Sequence, residues 1–312
     1  MDSNFFHDYK KNGYAISNPI LSENEIISLR SEIENELQPY EDGIIIGLEK
    51  IKNKKLLKKI INIFSSNEIK NSVENIKKTL KKDIFLLPKF QIHKNYFVNL
   101  KETLGWHRDS DGELQYEYCK KILFDEKYFF SKIGIYLQEN SDFGGSIDII
   151  NQSHKYFSKN TDILRKFQSI PMHIVKMIHK FFHKIYFLFP EKFFMFFLSG
   201  IKLFPNKSSA VFFDSRLTHR GSLISKEKLK SVSFISGKYH AKTPISKNKF
   251  TLYCQLGTSD AADSYFHDRL KRENNSDEFK IWLQQIDAIR SVNKDFADQI
   301  NLIVNPIKKK YT

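Results

Sequence analysis

Cysteine is scarce: Cys119 and Cys254 are the two in 312 residues. They are too few for a disulfide scaffold, and no CxxC spacing offers a zinc site. A reducing cytoplasm is the expected setting. No apolar run reaches the ~18 to 20 residues that cross a bilayer. The opening MDSNFFHDYKKNGY is too polar and acidic for a secretory signal, so export is not expected. His173, His179 and His183 lack HExxH order and receive no metal. Helix-turn-helix, zinc-finger and RNP signatures are all missing, so nucleic acid is not an expected partner.

What is present describes a folded chain. Hydrophobic residues make up 41% and aromatics 14%, well above a disordered composition. The whole chain, 1–312, is expected to form a single domain with a substantial core. Lys and Arg outnumber Asp and Glu by 50 to 36, a formal charge of +14. That excess suits an anionic partner such as a membrane surface, a nucleic acid or a negatively charged small substrate, or simply solvated faces.

Local patterns are clearest near the start. Asn12-Gly13 marks a turn and Tyr14-Ala15-Ile16 a short strand. Ser22 with Glu25 three residues on forms a capping box ahead of a helix carrying Ile26, Leu29, Ile33 and Leu37. Residues 49–82 predict two basic amphipathic helices broken at Ser65-Ser66-Asn67. Strands are predicted within 84–100, on both sides of Gly144-Gly145 in 131–150, over 208–219, and over 229–239. Short strands around separated polar segments suit a mainly β fold with surrounding helices, a double-stranded β-helix of the jelly-roll or cupin kind.

Residues 156–204 predict a helical, aromatic-rich insertion. Lys176, Lys180, Lys184 and Lys192 line one helical face against a nearly continuous apolar one. That describes a lid or dimer contact, or a helix lying in a bilayer interface through 170–204. Residues 260–312 predict a helical extension in which Trp282, Ile286 and Ile289 pack on the sheet, ending in a frayed Lys308-Lys309-Lys310.

The chemistry centres on Gly105-Trp106-His107-Arg108-Asp109, answered by FFDSRLTHRGS around His219. On an extended backbone His107 and Asp109 share a face, so an imidazole and a carboxylate converge on one cation. A third ligand comes from elsewhere. Two imidazoles and one carboxylate on one face of an octahedron form the arrangement of non-heme Fe(II) oxygenases.

NGYAISNPILSENEIISLR, WHRD, GGSIDIINQSHK and FFDSRLTHRGS occur in an order that resembles the phytanoyl-CoA dioxygenase family of Fe(II)- and 2-oxoglutarate-dependent oxygenases, over roughly residues 5–240. The resemblance implies a jelly roll with Fe(II) on His107, Asp109 and His219. It also implies 2-oxoglutarate and O2 as cosubstrates. A basic side chain on the strand after the distal histidine would grip the far carboxylate of 2-oxoglutarate. The family's arginine is replaced at that spacing by Lys230, with Lys228 on the same face, and lysine offers a point charge where arginine offers a fork. Arg216 is a further candidate for this contact, and Arg220 would point away from the metal. Trp106 and Tyr136 are candidate pocket walls, and His154 belongs to a structural turn. Asp109 argues for hydroxylation or a related oxidation, because halogenating relatives lack the carboxylate.

The expected function is therefore a dioxygenase acting on a small or carrier- or lipid-linked molecule, cytoplasmic and in possible peripheral contact with a membrane. The alternative is a non-catalytic jelly-roll protein that docks on anionic membranes through 170–204.

Overall fold

The computed structural model describes residues 5–40, 44–94, 106–140, 146–157, 200–222, 232–235, 238–241, 248–273 and 277–311. Helix α1 (Phe5–Asn12) buries Phe5, Phe6 and Tyr9. It turns at Gly13 into strand β1 (Tyr14–Pro19). Gly13 has φ of +84°, and a Cβ there would lie 2.5 Å from His154 Nδ1, so both conformation and space require glycine. Helix α2 (Glu23–Glu36) starts on the capping box: Ser22 Oγ accepts from the Glu25 N–H, and the Glu25 carboxylate accepts from the Ser22 N–H at 2.8 Å.

After strand β2 (Ile44–Gly47), helices α3 (Lys54–Phe64) and α4 (Asn67–Leu80) break where the pattern predicts, with Ser66 capping α4. Strand β3 (Phe85–Lys94), helix α5 (Glu117–Leu123) and strands β4 (Phe130–Tyr136), β5 (Ile147–Ile150) and β6 (Gly200–Leu203) follow. Next come β7 (Ser209–Asp214), β8 (His219–Gly221), β9 (Val232–Ile235), β10 (Lys238–Ala241) and β11 (Phe250–Gly257). Helices α6 (Ser259–Glu273), α7 (Asp277–Arg290) and α8 (Lys294–Tyr311) end the described chain.

Among the described residues every strand pair is antiparallel. The large sheet runs β1-β7-β4-β11-β3-β2 and the small one β6-β5-β8, while β9 and β10 pair with each other. Alternation divides the large sheet's faces. Ile133, Ile135, Phe212, Leu252, Cys254 and Leu256 join the main core with Phe64, Trp282 and Ile300 from the helices. Tyr136, Val211 and Phe213 turn the other way and pack on Ile147, Ile149 and Leu203 of the small sheet. The candidate site sits on this second face.

Three expectations change. Gly200–Leu203 is a strand rather than the end of a helical insertion, because it supplies a partner for β5, with Leu203 buried and Ile201 exposed in period two. Residues 158–199, which carry most of that insertion, lie outside the described residues. The stretch 229–239 is not one strand. It contains β9 and part of β10, and the large sheet is instead completed by β11, hydrogen-bonded to both β3 and β4. The end of the chain is anchored rather than frayed: α8 reaches Tyr311, and Lys310 pairs with Asp263. Among the described residues, no helix is long and apolar enough to cross a membrane.

Candidate metal centre

His107 follows Trp106, and its backbone meets β8. The N–H of each of His107 and His219 donates to the other's carbonyl at 2.9 Å, an isolated antiparallel bridge. This puts the two imidazoles side by side, ring centroids 4.3 Å apart. The chain then turns at Asp109, and Ser110 N–H donates to the Ser215 carbonyl at 3.2 Å, tying the turn to the segment before His219. One ligand atom from each of His107, Asp109 and His219 lies within 4.8 Å of the others.

The chemistry of these donors suits a divalent cation. His219 is buried, and its Nδ1 lies 2.9 Å from the Leu217 carbonyl. A carbonyl can only accept, so Nδ1 carries the hydrogen and Nε2 keeps the lone pair. Burial, reinforced by His107 and opposed by Asp109, pushes the His219 pKa down to about 3, so the ring is neutral at ordinary pH. Burial raises the Asp109 pKa, but Lys132, His219, His107 and Arg269 outweigh it and hold the carboxyl well below its usual range. A neutral imidazole and an ionised carboxylate are the forms that bind metal.

Around the triad the large sheet contributes polar side chains. Lys132 on β4 has its Nζ 3.8 Å from Asp109 Oδ2 and 4.9 Å from the Tyr253 ring centroid. Tyr253 on β11 packs on His93 of β3 at 4.3 Å, and its hydroxyl lies 3.3 Å from that of Tyr136. Lys249, just before β11, lies over the Tyr136 ring at 5.9 Å. Burial pushes its pKa down to about 8, with Asp148 opposing and Lys202 adding to the fall.

The other predicted residues lie elsewhere. Trp106 is buried beneath the Arg220 guanidinium at 4.7 Å. Arg220, facing away from His219's side as alternation requires, pairs with the buried Asp148 at 2.9 Å. Trp106 therefore braces the back of the ligand strands and does not wall the site. Arg216 is not available as an anion contact: its Nε and Nη2 bond the Asp214 carboxylate at 2.9 and 2.8 Å, and it lies over the Tyr128 ring at 4.4 Å. His154 is structural, its Nε2 3.0 Å from the Lys10 carbonyl. Lys228 and Lys230 lie outside the described residues. Lys132, Tyr253, His93 and Lys249 were missed by sequence reading. The available signal was alternation: Lys249 and Tyr253 stand on the opposite face from Phe250, Leu252 and Cys254.

No family model and no curated protein matches the chain. Among solved structures, it is similar to HygX from Streptomyces hygroscopicus, with nickel and 2-oxoglutarate bound, at 13% identity over 83% of this chain and 87% of that one, TM-score 0.46. It is also similar to two proteins of nogalamycin biosynthesis, described as non-heme alpha ketoglutarate dependent. These are the carbocyclase SnoK (12% identity, 83% and 85% covered, TM-score 0.45) and the epimerase SnoN (8%, 82% and 82%, TM-score 0.45). At this distance the likenesses carry no residue role or activity across.

Proposed function

We propose that this protein is an Fe(II)- and 2-oxoglutarate-dependent oxygenase on a double-stranded β-helix, acting on a small or carrier-linked substrate. The observation that supports this most directly is the convergence of His107, Asp109 and His219 within 4.8 Å, with a hydrogen bond that leaves His219 Nε2 its lone pair. Two imidazoles and one carboxylate on one side of a metal leave the opposite positions for other ligands, the arrangement of non-heme iron oxygenases. His107, Asp109 and His219 would hold the iron. When bound, iron with O2 and 2-oxoglutarate supplies the oxidising power, and the cosubstrate leaves as succinate and CO2.

The chain's own task is to bind and orient. Lys249 is the described cation best suited to the far carboxylate of 2-oxoglutarate. It lies on the site side of the strand that completes the large sheet, over Tyr136. The Tyr136 and Tyr253 hydroxyls offer hydrogen bonds nearby. Asp109 would keep a carboxylate on the metal, which favours oxygen insertion or a related oxidation over halogenation.

Anaerobic addition of Fe(II) and then 2-oxoglutarate tests the reading. The expected result is a weak visible charge-transfer band in the wild type and none in Asp109→Ala. A wild type without the band overturns the proposal.

A further inference from the structure

Lysine in the middle of a strand between two cores needs a reason, because burying an ammonium is costly unless it is paired. Lys132 is such a residue. Its neighbours Ile133 and Ile135 enter the main core, whereas Lys132, Gly134 and Tyr136 turn to the site side. The Lys132 side chain is only 19% exposed.

Its ammonium has two partners. One is Asp109 Oδ2, at 3.8 Å. This oxygen is buried and accepts no hydrogen bond, while Oδ1 faces His107 Nε2 at 3.7 Å. The other partner is the face of Tyr253, at 4.9 Å. Gly134 leaves room for that ring: a Cβ there would stand 2.8 Å from Tyr253 Cε1 and 3.3 Å from the Tyr136 hydroxyl. His93 packs on the same tyrosine from β3. Three neighbouring strands thus build one support under a single ammonium.

We infer that Lys132 is a positioning residue for Asp109, holding Oδ2 from behind so that Oδ1 is presented to the metal beside the imidazoles. The inference rests on the metal-centre reading and adds to it the group that orients the carboxylate. Partners behind the ligands commonly set a site's affinity by about 10- to 100-fold.

The sign of the effect separates this role from a mere nearby charge. A lysine that only sits near a divalent cation repels it, and its removal tightens metal binding. A lysine that orients the carboxylate does the opposite. The test is Co(II) binding to the intact protein, followed by absorbance and by calorimetry, for wild type, Asp109→Ala, Lys132→Met, Lys132→Arg and Tyr253→Leu. The expected outcome is that Lys132→Met weakens Co(II) binding about 10- to 100-fold. Lys132→Arg should recover most of the loss, and Tyr253→Leu should weaken binding severalfold with Lys132 still present. Equal or tighter binding by Lys132→Met overturns the inference. Should Lys132→Met not fold, unchanged binding by Tyr253→Leu overturns it instead. If the wild type binds no Co(II), or Asp109→Ala binds it as well as the wild type does, the metal-centre reading itself falls, a result distinct from the loss of the Lys132 role alone.

Discussion

The backbones of His107 and His219 hold each other by two reciprocal hydrogen bonds of 2.9 Å, so the imidazoles are neighbours whatever their side chains bind. The fold carries this juxtaposition through main chain. His219→Ala should therefore keep the bridge while costing about 2 to 5 kcal/mol for the lost packing on Phe213 and His107. Mn(II) should raise the unfolding temperature of the wild type and leave that of His219→Ala unchanged. Thermal melts with and without Mn(II) check this, and an equal metal-induced rise in the variant would remove His219 from the ligand set.

Cosubstrate affinity should depend on pH through Lys249. Burial lowers its pKa to about 8, with Asp148 opposing and Lys202 contributing, and Tyr136 lies beneath it. Only the ammonium pairs a carboxylate, so 2-oxoglutarate binding should weaken as pH rises through that value, by up to about tenfold per pH unit. Lys249→Met should bind weakly and with a flat profile. Calorimetric titration of the Mn(II)-loaded protein across this range measures both.

Glu113 carries a second pH dependence, in stability. The residue is fully buried, and burial, aided by Asp268 and opposed by the Ser264 hydrogen bond and by Arg269 and Arg216, pushes its pKa from 4.5 up to about 8. A folded-state value above the unfolded one means the folded protein binds the proton more tightly. Its stabilising contribution is complete below the unfolded value and is lost as pH rises through about 8. Glu113→Gln should flatten this fall, worth on the order of 5 kcal/mol. Urea denaturation at a series of pH values gives the slope, and an unchanged slope in the variant would refute the assignment.

Asp148 should matter for folding more than its size suggests. It is fully buried between Arg220 Nε at 2.9 Å, Lys202 Nζ at 3.7 Å and Ser222 Oγ at 2.6 Å. Asp148→Asn removes the negative charge that offsets the buried Arg220 guanidinium and should cost about 3 to 5 kcal/mol. Pairing Asp148→Leu with Arg220→Met should recover much of that, because neither charge remains. Chemical denaturation of the single and double variants gives the coupling.

The sequence by itself determined the elements whose rules are local. Ser22 and Glu25 stand three residues apart and cap α2. The apolar spacing from Leu56 to Leu80 yields two helices split at the serines. Alternation separates His107 from Arg108 and His219 from Arg220. Such patterns depend on neighbours within about one turn of helix or one strand, where backbone geometry decides. The tertiary structure alone decided which distant groups meet. Spacing from His219 pointed to Lys230, which lies outside the described residues, while β11, joined to both β3 and β4, brings Tyr253 and the preceding Lys249 to the site side. Its place beside His219 offered Arg216 as a candidate cation, yet Asp214 two residues away already holds it. Lys132 read as one lysine among many until the fold set it against Asp109. Sheet order and register follow from burying two cores at once, a condition on the whole chain that no short window of residues contains.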